Sequence, residues 1–226
     1  MKMPRHLDDV IWDEERKALG RVWRPSRHIK LLRKTLGPLR DSGARLLDAG
    51  CGHGNYLALF CEMGLRVVGA DVSPVTLKWA HQVNPQSAVE SVQLESAHGL
   101  PHRDATFDVI FCGEVMAQIR DIHLMFSEFN RLLRDSGLLI ITVAYHGWIK
   151  NVLIASFWFA QHYYPHNYRL RFFTPSSLMK SLRRAGFSPM YWHGGDGYWP
   201  LWKTMYMTSR KIGPPGPSPN PLLWSG

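Results

Sequence analysis

Residues 46–57 read Leu46-Leu47-Asp48-Ala49-Gly50-Cys51-Gly52-His53-Gly54-Asn55-Tyr56-Leu57, and this stretch decides the fold. An apolar run enters a turn with glycine at three alternate positions, and an amphipathic segment leaves it. The order predicts a strand, a loop and a helix. Glycine adopts positive φ without a steric penalty and lets a ligand approach the backbone, while the helix presents unpaired N–H groups. The stretch therefore predicts a loop that binds a nucleotide-like ligand.

Two acidic residues indicate which chemical groups that ligand carries. Asp48 precedes the first glycine by two residues, and Asp71 ends the next apolar run. An acid about 20 residues beyond the first glycine usually accepts the two hydroxyls of a ribose. The glycines read G-x-G-x-G rather than the G-x-G-x-x-G of a dinucleotide site, and Asp48 favours an ammonium group over a phosphate. S-adenosylmethionine offers a ribose and an ammonium group without a phosphate, so it is the predicted cofactor.

Four blocks of sequence, in this order, carry a resemblance to a known family. They are the glycine loop with Asp71-Val72-Ser73-Pro74, then Leu100-Pro101, then Phe107-Asp108-Val109-Ile110-Phe111-Cys112-Gly113-Glu114-Val115, and finally Leu132-Leu133-Arg134-Asp135-Ser136-Gly137-Leu138-Leu139-Ile140. From about residue 45 to residue 210, the chain resembles the class I S-adenosylmethionine-dependent methyltransferases. The segments 145–151, 172–175 and 184–187 resemble the branch of ubiquinone-biosynthesis O-methyltransferases and related small-molecule enzymes.

The resemblance implies an α/β fold, a Rossmann-like seven-stranded and mostly parallel sheet with helices on both faces and an antiparallel last strand. Hydrophobic periodicity and capping residues agree with this order of elements. Predicted helices span 8–20, 25–36, 55–63, 74–83, 122–133 and 174–185; predicted strands span 45–48, 66–71, 91–94, 108–112, 138–143, 190–193 and 203–209.

The length of 226 residues suits one core, and we divide the chain into three parts. Residues 1–44 are predicted as N-terminal helices that cover the cofactor site. Residues 45–212 form the methyltransferase domain, with an aromatic-rich lid insert at about 147–171. Residues 213–226 are rich in proline and are predicted as a flexible tail.

The cofactor site is predicted from the glycine loop and the strand ends that follow it. Asp48 and the loop backbone are expected to bind the methionine portion, Asp71 the ribose, and Val72 the adenine. Arg27 is a candidate for the cofactor carboxylate, with a solvated surface arginine as the alternative. The full predicted set is Arg27, Asp48, Gly50, Gly52, Gly54, Asp71, Val72, Ser96, Ala97, His98, Cys112, Gly113 and Glu114, where Ser96 stands in place of the family's usual acid.

Three histidines are candidates for a general base, because phenol methylation profits from removal of the hydroxyl proton. His146 follows a sheet strand beside the expected cofactor, and His162 and His166 lie in the insert. A surface or structural role is the alternative for each. No metal site is predicted, since the chain reads Glu114-Val115-Met116-Ala117-Gln118 where the branch often carries Glu-Val-x-Glu-His.

The leading hypothesis is O-methylation of a phenol, quinol or natural-product hydroxyl, with N- or C-methylation or a non-catalytic cofactor-binding protein as alternatives. The net charge of +9 is concentrated in the flanks, and residues 147–226 carry nine basic side chains and one acidic side chain. No basic run is dense enough for a nucleic-acid patch, so no nucleic-acid partner is expected. Peripheral membrane contact through the insert and a homo-oligomer stay open. The polar N-terminus and three cysteines predict a reduced, cytoplasmic protein.

Overall fold

A computed structural model of the chain describes residues 27–91, 99–157 and 170–216. The predicted helix at 8–20 lies outside these residues. The strands are β1 Arg45–Ala49, β2 Arg66–Asp71, β3 Ala88–Ser91, β4 Phe107–Gly113, β5 Leu133–Ala144, β6 Phe187–Gly195 and β7 Thr204–Lys211. The helices are α1 Arg27–Leu36, α2 Leu57–Glu62, α3 Pro74–Val83, α4 Ile122–Leu132, α5 Trp148–Phe157 and α6 Pro175–Arg184, with a 3-10 turn at Gly37–Leu39.

The seven strands form one sheet in the order β3-β2-β1-β4-β5-β7-β6. Strands β1 to β5 pair in parallel, and β7 runs antiparallel to both β5 and β6. The chain order reverses between β1 and β4, so their carboxyl ends open a crevice at a topological switch point. The predicted Rossmann-like, mostly parallel sheet with an antiparallel last strand is confirmed.

Two apolar layers cover the two faces of the sheet. One joins α1, α2 and α3 to the sheet, with Leu32, Phe60 and Phe111 fully buried. The other joins α4 and α6 to the opposite face, with Phe129 and Leu182 fully buried. The amphipathic periodicity of these helices supplies the apolar stripe that each layer buries. The predicted helices on both faces are therefore confirmed.

Local sequence signals fix several helix ends. Ser73 caps α3 by accepting the Thr76 N–H, and Pro74 occupies the first helical position. Thr174 and Ser177 form a reciprocal capping box at α6. Asp121 accepts two backbone N–H groups at the start of α4. The predicted spans of α3 and α6 agree with the structure to within one residue.

Four predicted elements have wrong boundaries, and one of them is β6, which spans Phe187–Gly195 rather than residues 190–193. The strand expected at 91–94 lies at Ala88–Ser91, because its register follows β2, with Val68 opposite Ala88 and Asp71 opposite Ser91. β5 begins at Leu133 rather than at residue 138, since the segment around Gly137 continues the ladder beside a β-bulge. α2 begins two residues late, because residues 55–56 still belong to the turn.

The first residues of the predicted tail are attached to the domain. Asn130 donates to the Gly213 carbonyl, and the Gly216 N–H donates to the Arg184 carbonyl at 2.7 Å. Residues 217–226 lie outside the described residues. Across the three described segments, every helix is too short or too polar to cross a bilayer.

Candidate functional site

The glycine loop connects β1 to α2 at the carboxyl edge of the sheet. Gly50, Gly52 and Gly54 all have positive φ, at 81°, 51° and 79°. A Cβ at Gly50 would collide with the Val115 side chain, so the loop passes directly over the residues that follow β4. A Cβ at Gly52 would meet no described residue within 4 Å. The loop is therefore pressed against the protein at Gly50 and open to a ligand at Gly52.

Asp71, at the end of β2, holds the glycine loop through a hydrogen bond. Its Oδ2 accepts the Gly52 N–H at 2.9 Å, and its Oδ1 accepts the Ser73 N–H at 3.0 Å. A carboxylate has about four lone-pair sites, so both oxygens can accept further hydrogen bonds. The predicted ribose acid thus also orders the backbone that would surround the ligand.

Asp48 is buried inside β1, one strand away from Asp71. Within the described part of the chain, its Oδ2 has no hydrogen-bond partner. Burial, and then the negative charge of Asp71, raise the pKa of Asp48 to about 8. A buried carboxyl without a partner is costly, and a cation beside it would remove that cost. An ammonium group fits this position.

Val72 and Glu114 stand at the rim of the same crevice. Val72 follows Asp71 and is 50% exposed, which suits an apolar contact with a ring. Glu114 follows β4 with a φ of 59°, a conformation that a residue with a side chain rarely adopts. Its N–H donates to the Thr142 carbonyl at 2.8 Å, which fixes this turn. Strained backbone of this kind is typical of functional sites.

The remaining predicted cofactor residues are placed unequally. Cys112 is buried at the end of β4, and burial, then Asp48, then Glu114 raise the pKa of its thiol. Gly113 pairs with Thr142 in the sheet. Arg27 is exposed at the first residue of α1, and its role stays a prediction. Ser96, Ala97 and His98 lie outside the described residues.

Negative charge surrounds Tyr56, in the turn just before α2. Its ring packs against Phe111 with centroids 4.8 Å apart. Burial raises the pKa of its hydroxyl, and Glu114, Asp48 and Asp196 raise it further. Three carboxyl groups from three different loops and strands therefore lie near this edge, and Asp48 adds its negative charge when a cation beside it favours the ionised form. Such a field favours a ligand with positive charge, which a sulfonium carries.

His146 lies two residues beyond the end of β5 and is 1% exposed. Its Nδ1 is 3.2 Å from Oδ1 of Asn151, in the first turn of α5. Its ring meets the Phe172 ring edge to face, with centroids 4.8 Å apart. The predicted base is thus buried and oriented at the carboxyl edge of the sheet. His162 and His166 lie outside the described residues.

The wall beside His146 is built from three segments that pair through their backbones. The N–H groups of Leu170 and Arg171 donate to the Ala117 carbonyl, and the His146 N–H donates to the Phe173 carbonyl. The insert therefore returns to the turn after β4 before α6 begins. Described residues contain no group of three or more His, Cys, Asp or Glu side chains arranged for a metal ion.

Several supporting residues were missed by the sequence reasoning. Asn84 donates its amide to the Gly54 carbonyl at 3.1 Å and thereby anchors the glycine loop to the end of α3. Glu128 and Arg131 bind the segment that contains Leu100. An Asn directly after a helix is a weak signal for the first contact. The contact of Glu128 with the Leu100 N–H had no signal in the sequence, because it joins residues 28 positions apart.

The fold and this site together define a class. A crevice at the β1–β4 switch point, an open glycine loop, a buried acid in β1 and a second acid after β2 are the arrangement predicted for class I S-adenosylmethionine-dependent methyltransferases. The family model described as "Methyltransferase domain" matches residues 21–190. The chain belongs to this family, as predicted.

Curated relatives share the same family. A ubiquinone biosynthesis O-methyltransferase from Chelativorans sp. is 32% identical over 100 residues, 44% of this chain and 40% of the relative. One from Cereibacter sphaeroides is 28% identical over 159 residues, 68% of this chain and 64% of the relative. The chain thus spans less than two thirds of the length of these relatives. The predicted resemblance to this branch is confirmed.

A solved structure shares the fold. The crystal structure of the [4+2]-cyclase SpnF matches with a TM-score of 0.65 and 19% identity, covering 83% of this chain and 81% of that chain. That protein is named as a cyclase, so the fold by itself does not define the reaction.

Proposed function

We propose that the chain transfers the methyl group of S-adenosylmethionine to a hydroxyl oxygen of a small molecule, a phenol or a quinol in the first place. The observation that supports the cofactor is the buried Oδ2 of Asp48, which has no hydrogen-bond partner among the described residues and lies beside a loop that leaves space at Gly52. The residues fit S-adenosylmethionine because Asp48 offers a carboxyl for its ammonium group and Asp71 offers one for its ribose hydroxyls.

The cofactor supplies a methyl group already activated by its sulfonium, so the protein has mainly to bind and orient the reactants. In this proposal Asp48 pairs with the ammonium group, and the Gly52 and Gly54 region surrounds the methionine portion. Asp71 accepts the ribose hydroxyls while it keeps the Gly52 N–H. Val72 packs on the adenine, and Ser96, Ala97 and His98 are proposed for its polar edge. Cys112, Gly113 and Glu114 are proposed at the edge of the cofactor, where β4 ends.

His146 is proposed as the general base. The oxygen of the acceptor attacks the methyl carbon, the carbon–sulfur bond breaks, and its electron pair stays on sulfur. The hydroxyl proton goes to the imidazole, so the charge lost by the sulfonium appears on His146. Histidine suits this step because it exchanges protons near neutral pH. Its burial and its contact with Phe172 support a site from which water is excluded.

The acceptor class rests on two kinds of support. The curated relatives are named for O-methylation in ubiquinone biosynthesis, at low identity and over part of their length. The wall around His146 is aromatic: Phe172 packs edge to face against the imidazole ring, and Tyr145 and Phe173 are buried next to His146. A flat aromatic ring with a hydroxyl group matches an apolar wall that has one base.

The domain roles are proposals of the same kind. We infer that residues 147–171 close the acceptor side, since their last residues pair with Ala117 beside the site. Residues 1–44 are proposed to cover the cofactor; their described part, α1, packs on the sheet face and its His28 bonds to Thr204 at 2.8 Å. A nucleic-acid partner is not proposed, and membrane contact and oligomerisation stay open.

The test is methyl transfer from S-adenosylmethionine to a panel of phenols, quinols, amines and activated carbon acids, followed by mass spectrometry. The proposal expects a gain of one methylene unit on phenolic or quinolic hydroxyls. His146→Gln should lower the rate about 100-fold or more, and His193→Gln, at an exposed histidine on β6, should not. A mass gain only on amines or only on carbon acids would support N- or C-methylation instead. Cofactor binding without any transfer would support a non-catalytic binding protein.

A further inference from the structure

The first turn of α5 reaches back to the strand end that carries His146. Lys150 donates its ammonium to the Tyr145 carbonyl at 2.8 Å and to the Trp202 carbonyl at 2.9 Å. Asn151 places its side-chain Oδ1 3.2 Å from Nδ1 of His146. Consecutive residues of one helix turn thus bind both the backbone and the ring of the same short segment.

These contacts explain why α5 keeps its place. Of its side chains, only Ile154 is buried, and Trp148 and Val152 are largely exposed. Among the described residues, Ile154 is thus the one buried side chain of this helix. The polar contacts of Lys150 and Asn151 hold its first turn against the strand end and place the Asn151 amide against the His146 ring.

We infer that Asn151 is a positioning residue that fixes the tautomer of His146. An amide oxygen accepts hydrogen bonds and cannot donate them, so the contact at Oδ1 requires the proton on Nδ1. A neutral imidazole carries one proton, and its lone pair then lies on Nε2. The inference rests on the proposed function in one respect: it names Nε2 as the atom that would receive the acceptor proton.

The test reads the tautomer directly and without turnover. The full chain is labelled with ¹⁵N-histidine, and long-range proton–nitrogen correlation identifies each ring tautomer, with His146→Gln to assign the signal. We expect a protonated Nδ1 and an unprotonated Nε2 in the cofactor-free protein. Asn151→Leu keeps the volume and removes the acceptor, so His146 should shift toward a mixture of tautomers. Asn151→Asp keeps the acceptor and should restore the Nδ1-protonated form.

The control lies on the same helix. Val152→Ala changes a side chain that is 55% exposed, and it should leave the His146 signals unchanged. The chain has 11 histidines, so the other ten report whether each variant keeps its fold. Protonated Nε2 in the unsubstituted protein, or unchanged His146 signals in Asn151→Leu, would overturn the inference.

A second measurement separates this inference from the proposed function. In methyl transfer, Asn151→Leu should lower kcat about tenfold and leave the KM for S-adenosylmethionine unchanged, and Asn151→Asp should recover most of the rate. If no acceptor is methylated by any variant, the proposed function fails while the tautomer result stands. If transfer proceeds and Asn151→Leu has full kcat, the positioning role fails alone.

Discussion

The Gly52 N–H donates to Oδ2 of Asp71 at 2.9 Å, across the space between the glycine loop and the end of β2. One carboxylate therefore shapes the loop and is also the proposed ribose acid. The two roles are compatible because Oδ1 accepts from the Ser73 N–H and the Thr76 hydroxyl, while Oδ2 accepts from Gly52 alone among the described residues and keeps a lone pair. The loop and the acid are a single unit, and substitution of one changes the other.

Substitution of Asp71 tests this unit. Asp71→Ala removes the carboxylate, and the net loss of one hydrogen bond to a charged group costs about 1.5–3 kcal/mol. We expect affinity for S-adenosylmethionine and S-adenosylhomocysteine to fall roughly 10- to 100-fold, by equal factors, since both carry the ribose. Asp71→Asn keeps one acceptor and should lose less. Asp135→Asn, at a fully exposed carboxylate on the amino end of β5, is the control. Unchanged affinity in Asp71→Ala would remove Asp71 from the site.

Asp48 makes cofactor binding depend on pH. Its pKa in the free protein is raised to about 8, so at pH 7 the carboxyl is mainly protonated. An ammonium group beside it favours the ionised form, so binding should release a proton, and affinity should rise as pH approaches 8. Calorimetry in buffers of different ionisation enthalpy measures the release. Asp48→Asn should bind more weakly and release none; equal release by the two proteins would contradict the assignment.

The same carboxyl makes stability of the cofactor-free protein depend on pH. A raised pKa means that the folded chain retains a proton that the unfolded chain loses above about pH 4. The free energy of unfolding therefore falls as pH rises from about 4 to 8. Above about pH 8, Asp48 no longer changes it with pH. Melting temperature between pH 5 and pH 9 should decline more in the unsubstituted protein than in Asp48→Asn. Parallel curves would show that Asp48 is ionised in the free protein.

Glu114 stores backbone strain at the end of β4. A residue with a Cβ pays about 1–2 kcal/mol in the left-handed region, and glycine does not, although glycine loses more entropy on folding. Both Glu114→Gly and Glu114→Ala lack the carboxylate, so their difference isolates the strain. We expect the glycine variant to be about 1 kcal/mol more stable in urea unfolding than the alanine variant. Equal stabilities would mean that the turn relaxes.

Glu128, on α4, makes a contribution to stability whose pH dependence is opposite to that of Asp48. Burial raises its pKa, but hydrogen bonds from Arg131 and from the Leu100 N–H outweigh this and leave the pKa lowered. A lowered pKa contributes stability above about pH 4.5 that is lost as pH falls further. Glu128→Gln should cost about 2–3 kcal/mol at pH 7 and less at pH 4. The exposed pair of Arg33 and Glu62 offers the matched control, Glu62→Gln, which should cost under about 1 kcal/mol.

The sequence anticipated elements whose signals are local. β2 and α3 lie at their predicted bounds because Ser73-Pro74 marks both the strand end and the helix start. β3 was displaced because its register depends on pairing with β2, which a period-2 pattern does not fix. The three glycines, Asp48 and Asp71 could be found because they lie in or directly after two strands that are neighbours both in the chain and in the sheet. The Asn151 contact could not, since it requires α5 to fold back onto the end of β5.

The central claim is that the crevice binds S-adenosylmethionine through Asp48 and Asp71. Calorimetric titration of the purified chain with S-adenosylmethionine, S-adenosylhomocysteine and NAD tests it most directly. We predict micromolar binding of both sulfur ligands, no binding of NAD, and binding weakened at least tenfold in Asp48→Asn. Folded protein that binds neither sulfur ligand, or that binds them equally well without the Asp48 carboxylate, would contradict the account.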